Sequence, residues 1–291
     1  MGDIGTNAPA HFNCLMAIVL GSTVVTEIFV SGIIHYADVW VAMAVFPYLL
    51  PFVFLAWYCH WVRYHRMRDL LLCAIWPFAL SVVAGPLVEI AGRSSFPLVD
   101  GALARIDGYT FQTVTVVRWL QHFPPLSSAF DAVYVFLSPP LVLAPLLVTN
   151  FCRQPNAARR YIVSVTIALV LTTLLFALWP AAGPWTVEGF RPNEVQAAAE
   201  SHLLALKLHH PVPVTARSAG IVSFPSFHTI IAVLAASALW NIRWIRWVGL
   251  VVCVGICLST VTTGWHYVID VLGGLGVAFA AWAAAVRLIR D

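Results

Sequence analysis

Gly264-Trp265-His266-Tyr267-Val268-Ile269-Asp270 stands at the mouth of an apolar run that continues to about residue 287. A helix needs roughly 20 such residues to cross a bilayer, so the stretch reads as the entrance to a membrane span. A charged side chain deep in a membrane costs roughly 2.5–3.5 kcal/mol on insertion scales and normally has a partner. Asp270 lies four residues after His266, which on a helix places the two on one face, where a carboxylate orients and charges an imidazole. A second stretch, Ser223-Phe224-Pro225-Ser226-Phe227-His228-Thr229, stands in the same way before another apolar run.

Working outward, apolar runs fall at about 14–35, 40–62, 70–91, 130–151, 161–180, 227–242, 246–263 and 267–287. They predict an all-α, polytopic membrane helix bundle of about eight spans. The chain is 60% hydrophobic and 10% charged, which excludes an ordinary soluble domain. The expected organisation is two N-terminal transmembrane helices over residues 1–66 and a membrane core over 67–291. No cleavable signal peptide is expected, because the first apolar run is long and lacks a basic leader. The six cysteines lie in or beside apolar runs without ligand spacing, and read as core residues.

Basic residues set the expected orientation. Arg63, Arg66 and Arg68 follow the second run, and Arg153, Arg159 and Arg160 the fourth. Arg243 and Arg246 follow the sixth, and Arg287 and Arg290 close the eighth. Alternating helices bring all of these to one side, which the positive-inside rule makes cytoplasmic, together with both termini. Asp100, Asp107, Glu188, Glu194 and Glu200 fall on the other side with His228 and His266. The expected location is a bacterial inner membrane with the site on the periplasmic, outer face. Two long outer segments, 92–129 and 181–226, interrupt the bundle, and such loops commonly carry function. Within the second, residues 193–208 predict a surface helix with Val195, Leu203, Leu204 and Leu206 towards lipid.

His228 follows Pro225-Ser226-Phe227 at a helix start, where free backbone N–H groups favour an anion. Ser226 can add a hydroxyl donor. With His266 at the same depth, the pieces fit a phosphate ester: a nucleophile, an acid for the leaving alcohol, and donors for the phosphoryl oxygens.

From about residue 96 to 275 the chain resembles the type-2 phosphatidic acid phosphatase superfamily. Its second motif, Pro-Ser-x-His, is met by Pro225, Ser226, Phe227 and His228. Its third is met by Ser259, His266 and Asp270 at the family spacing, with Thr260 in place of the arginine. The Ser-Thr form, the His-Tyr-x-x-Asp ending and Trp179-Pro180-Ala181-Ala182-Gly183-Pro184-Trp185 are similar to the branch of the fungal inositol phosphorylceramide synthases and their bacterial relatives. The resemblance implies a six-helix core and a covalent double displacement. His266 would form a phosphohistidine and Asp270 would hold its other ring nitrogen. His228 would protonate the departing alkoxide and then activate water or an acceptor alcohol, and Ser226 would contact the phosphate. It implies no cofactor and no metal.

The first motif of that superfamily is incomplete: Arg191-Pro192 supplies its end, but Pro184 stands at the lysine position. A phosphate still needs a counter-charge. Lys207, the chain's single lysine, is preferred for it, with Arg217 and then Arg191 as further phosphate-binding candidates.

The plainer readings are these. His11, His35, His60, His65, His122, His202, His209 and His210 read as interfacial polar residues, and Trp40, Trp61, Trp185, Trp240, Trp244 and Trp265 as an anchoring belt. Glu27 falls within the first run without a nameable partner. Two histidines could bind a metal, but a ligand set at the right spacing is missing. The expected function is a lipid phosphatase or phosphotransferase acting on a lipid phosphate or phospholipid, with membrane lipids and, for transfer, an acceptor alcohol as partners, and no nucleic acid. The competing reading is a non-catalytic transporter or lipid-binding protein on the same fold. Intact His228, His266 and Asp270 oppose a relic, and the lack of paired charges within several helices opposes an ion-coupled transporter.

Overall fold

The computed structural model describes residues 51–210, 212 and 218–290. The first expected span, Glu27 and Arg217 lie outside the described residues, as do residues 40–50 of the second span. All described regular structure is helical. A helical stretch at 51–61 leads to α1 (His65–Gly92), α2 (Asp100–Thr110), α3 (Thr113–Gln121) and α4 (Pro124–Ala132). A π-helical segment, Val133–Leu137, links α4 to α5 (Pro140–Phe151). Then come α6 (Pro155–Leu178), the short α7 (Trp185–Glu188), α8 (Glu194–Lys207) and a 3-10 turn at Ser218–Ile221. The chain ends with α9 (Phe227–Leu239), α10 (Ile245–Thr262) and α11 (Val268–Leu288).

The protein is a membrane helix bundle. Among the described residues α6, α10 and α11 are long and apolar enough to cross a membrane, and the segment from Pro124 to Phe151, bent by 55° at its break, makes up to a fourth. The remaining expected runs, 70–91 and 227–242, correspond to α1 and to the shorter apolar α9. The bend follows from sequence. Pro139 and Pro140 sit at the break and Pro145 lies inside α5, and proline removes a helix hydrogen bond.

α9 is the centre of the bundle, packed against α5, α6, α10 and α11. That explains why it is apolar on every side. Its residues Ile230, Leu234 and Ala235 join Trp76, Tyr161, Ile162, Val165, Ile256 and Ala278 in the principal core. Small residues let neighbours close in. A Cβ on Gly274 of α11 would come 2.7 Å from the Ser226 carbonyl oxygen and 3.1 Å from Thr229 Cβ, so the glycine sets how closely α11 meets the start of α9.

The surface helix expected at 193–208 exists as α8, but its orientation differs. An Asn193–Gln196 capping box starts it, with Gln196 N donating to Asn193 Oδ1 and Asn193 N to Gln196 Oε1. Leu203 and Leu206 are fully buried and pack with Val88, Ala91, Phe176 and Ile221 rather than facing lipid. Val195 and Leu204 are exposed. Protein burial on α1 and α6 competes with lipid for the same leucines, and the helix turns its richer face to the protein. His202 is not a free interfacial residue either: its Nε2 lies 2.7 Å from Oε1 of the buried Glu89 on α1.

Candidate active site

The site is assembled where three chain segments meet: 223–228, which leads into the first turn of α9, the end of α10, and the turn into α11. α10 stops because Gly264 adopts φ +75°, a left-handed conformation that glycine takes without strain. A side chain there would also meet the Phe190 ring. The turn then presents Trp265 and His266, and Tyr267 caps α11. Backbone bonds stitch the segments together: His266 N to Thr260 O at 3.1 Å, and Ser226 N to Asp270 O at 3.0 Å.

His266 therefore precedes α11 instead of sharing a helix face with Asp270. Its Nδ1 lies 2.9 Å from the Ser223 carbonyl oxygen and 3.5 Å from Asp270 Oδ2. The carbonyl, not the carboxylate, is its hydrogen-bond acceptor. Asp270 Oδ2 is taken by donors of its own, Tyr267 N at 2.9 Å and Ser223 Oγ at 3.1 Å. Asp270 thus caps its own helix and fixes Ser223, whose carbonyl in turn holds His266. With Nδ1 as donor, Nε2 of a neutral imidazole keeps its lone pair. Burial lowers the pKa of His266 from its ordinary 6.5 to about 4, against a smaller opposing effect of the Ser223 carbonyl. A neutral ring is the nucleophilic form.

His228 sits in the first turn of α9, and its ring centroid is 6.2 Å from that of His266. Its Nδ1 lies 3.2 Å from the Tyr134 hydroxyl. Tyr134 stands between the His228 ring, centroids 4.4 Å apart, and Trp265, 6.0 Å away and nearly parallel. Trp185 meets Trp265 edge-on and donates from Nε1 to Glu200. The aromatic wall holds Trp185 and Trp265 in protein contacts, beyond the anchoring role expected of them.

Two carboxylates brace this arrangement. Asp107 on α2 accepts from Thr113 N, Thr113 Oγ1 and, across the fold, Val268 N at 2.9 Å. Asp100 accepts from Ala182 N and Gly183 N. Burial raises the pKa of Asp100, and its two backbone bonds oppose that.

The phosphate-binding candidates divide. Ser226 is fully buried and caps α9, its Oγ accepting from Thr229 N at 3.4 Å and Thr229 Oγ1 at 3.2 Å. Lys207 Nζ donates to Ser94 O, Ser94 Oγ and Phe96 O at 2.8–3.0 Å. It closes the end of α8 onto the turn after α1, and burial lowers its pKa. Arg191 is exposed and follows Phe190, which packs with Trp185, Val117 and Trp265 beside the histidines. Ser259 and Thr260 return their hydroxyls to Ile256 O and Cys257 O within α10.

Among the described residues no three His, Cys, Asp or Glu side chains converge as a metal site. A cavity of about 390 Å³ lined by His60, Arg68, Asp69, Cys73 and Arg159 lies at the first turns of α1. That is the opposite end of the helix from Gly92, which neighbours Leu206 and Ile221, so the cavity is separate from the histidines.

Sequence reasoning did not find Tyr134 or the Ser223 carbonyl. Tyr134 lies inside an apolar run with no motif around it, and a backbone acceptor leaves no mark on residue identity.

No curated protein and no solved structure matches the chain. Residues 102–284, more than half of the chain, match the family model described as the PAP2 superfamily. The resemblance drawn from Pro225–His228 and Ser259–Asp270 holds at that level: the chain belongs to the PAP2 superfamily.

Proposed function

We propose that the protein is an integral membrane lipid phosphatase or phosphotransferase that works through a phosphohistidine on His266 at the outer membrane face. Family membership supports the general class, a phosphatase- or phosphotransferase-type enzyme. The observation that carries the finer reading is the pairing of two imidazoles with ring centroids 6.2 Å apart, one of them held by a carbonyl at Nδ1.

In this account Nε2 of His266 attacks phosphorus. The P–O bond to the alcohol breaks, and the departing oxygen takes a proton from His228. Water or an acceptor alcohol then gives its proton to His228 and attacks phosphorus, and the P–N bond breaks. Asp270 acts through Ser223, by fixing the carbonyl that orients His266. The N–H groups at the start of α9 receive phosphoryl oxygens, with Ser226 shaping that turn. Lys207, Arg217 and Arg191 are the candidate cations for the phosphate, and Arg191 is exposed next to Phe190. Hydrolysis and transfer share this intermediate and differ in whether an acceptor alcohol binds beside it. The same reading takes the arginine-rich face as cytoplasmic, in a bacterial inner membrane.

The test is phosphate release and headgroup transfer by the purified protein over a panel of lipid phosphates and phospholipids, with and without inositol or glycerol, in EDTA and in magnesium. Turnover of at least one substrate, insensitive to EDTA and lost in His266→Ala, supports the proposal. Lipid binding with no turnover on any substrate would favour the lipid-binding reading instead.

A further inference from the structure

We infer that Tyr134 is a positioning residue for His228, fixing Nδ1 of that ring so that Nε2 is the nitrogen that gives and takes protons. The inference rests on the acid–base reading of His228 given above.

Three observations carry it. First, the Tyr134 hydroxyl lies 3.2 Å from His228 Nδ1, and among the described residues this is the hydrogen bond of that ring. Second, Tyr134 belongs to the π-helical segment Val133–Leu137. Single π turns inside helices are frequent at functional sites, because the extra residue re-aims a side chain. Here Val135 and Phe136 are exposed while Tyr134 turns inward onto His228 and Trp265. Third, the two histidines are held alike. His266 Nδ1 meets a neutral carbonyl and His228 Nδ1 meets a neutral phenol.

A phenol suits a residue that changes protonation during turnover. Its oxygen accepts from Nδ1–H whether His228 is the imidazolium, with Nε2–H ready for the leaving oxygen, or the neutral ring, with an Nε2 lone pair ready for the acceptor. A carboxylate in its place would favour the cation in both steps and weaken the acid that the leaving oxygen needs. The phenol fixes the ring without biasing it so strongly.

The experiment compares wild type, Tyr134→Phe, Tyr134→Leu and His228→Ala on a long-chain alkyl phosphate and on p-nitrophenyl phosphate, with kcat and KM measured across pH. Phenylalanine keeps the ring contacts and removes only the hydroxyl. Nitrophenolate leaves without an acid, so only the alkyl ester reads the proton transfer. A positioned general acid contributes roughly 10²–10⁴-fold, so Tyr134→Phe should lose about tenfold or more in kcat on the alkyl ester, with KM unchanged and little loss on the nitrophenyl ester. Its acid-limb pH profile should shift as well. Tyr134→Leu should show the same selectivity, and any added loss from the missing ring should fall on both substrates. Selective loss in His228→Ala with none in either Tyr134 variant would overturn the role of Tyr134 alone. Equal losses on both substrates in His228→Ala would overturn the acid assignment, and the Tyr134 proposal with it.

Discussion

His266 is held through Ser223: its Nδ1 lies 2.9 Å from the Ser223 carbonyl oxygen, while the hydroxyl of the same serine donates to Asp270 at 3.1 Å. One residue thus relays the effect of a buried carboxylate to the imidazole. The distance of 3.5 Å from His266 Nδ1 to Asp270 Oδ2 makes the direct contact secondary.

Asp270→Asn should therefore keep more activity than Asp270→Ala. Asparagine can still accept from Tyr267 N and Ser223 Oγ, whereas alanine leaves two buried donors without partners at about 1–3 kcal/mol each. Melting of the detergent-solubilised variants beside kcat checks this. Equal loss of kcat in the two, with wild-type melting in both, would show that the charge itself is what His266 needs.

Gly274→Ala should damage both stability and turnover, because the new Cβ would meet the Ser226 carbonyl at 2.7 Å. Overpacking of this kind costs about 1–3 kcal/mol. The start of α9, with His228, would move away from α11. Gly276→Ala, two residues on with nothing within 4 Å, is the control and should melt like wild type.

Lys207→Ala and Arg191→Ala should separate. Lys207 holds Ser94 and Phe96, so its loss should lower the melting temperature more than it alters KM. Arg191 is exposed beside the aromatic wall, so its loss should raise KM for a phosphate ester and leave melting unchanged. The reverse pattern would return the counter-charge to Lys207.

Acid should destabilise the protein through His266. Its folded pKa is depressed to about 4 by burial, so between about 4 and 6.5 the unfolded chain binds a proton that the folded chain does not. The stability from the neutral ring is complete above about 6.5 and declines as pH falls towards about 4. Wild type should lose more melting temperature than His266→Gln between about pH 7.5 and about pH 5. Parallel losses would remove His266 from the acid response.

The parts legible in the sequence were those written in residue type. Apolar runs marked α1, α6, α9, α10 and α11 because lipid and core select the same side chains there. The meeting of His228, His266 and Asp270 was legible because two motifs carry them. What was hidden depends on backbone and distance. The left-handed Gln112, at φ 51°, separates α2 from α3 within a segment of mixed composition. Asp107 finds Val268 N from 161 residues away. Subtraction of missing cations points to Lys207, a logic that cannot see the carbonyls of Ser94 and Phe96 that its ammonium meets. The leucines of α8 looked lipid-facing because periodicity gives a face but not the neighbour it meets.

The most direct measurement of the central claim is rapid-quench trapping of the enzyme with a labelled lipid phosphate, followed by mapping of the acid-labile, base-stable phosphoryl group to a peptide. The account predicts label on the peptide containing His266 in wild type and its absence in His266→Gln, while His228→Ala still forms it from an ester with an activated leaving group. Label on another residue, or turnover by His266→Gln at the wild-type rate, would contradict it.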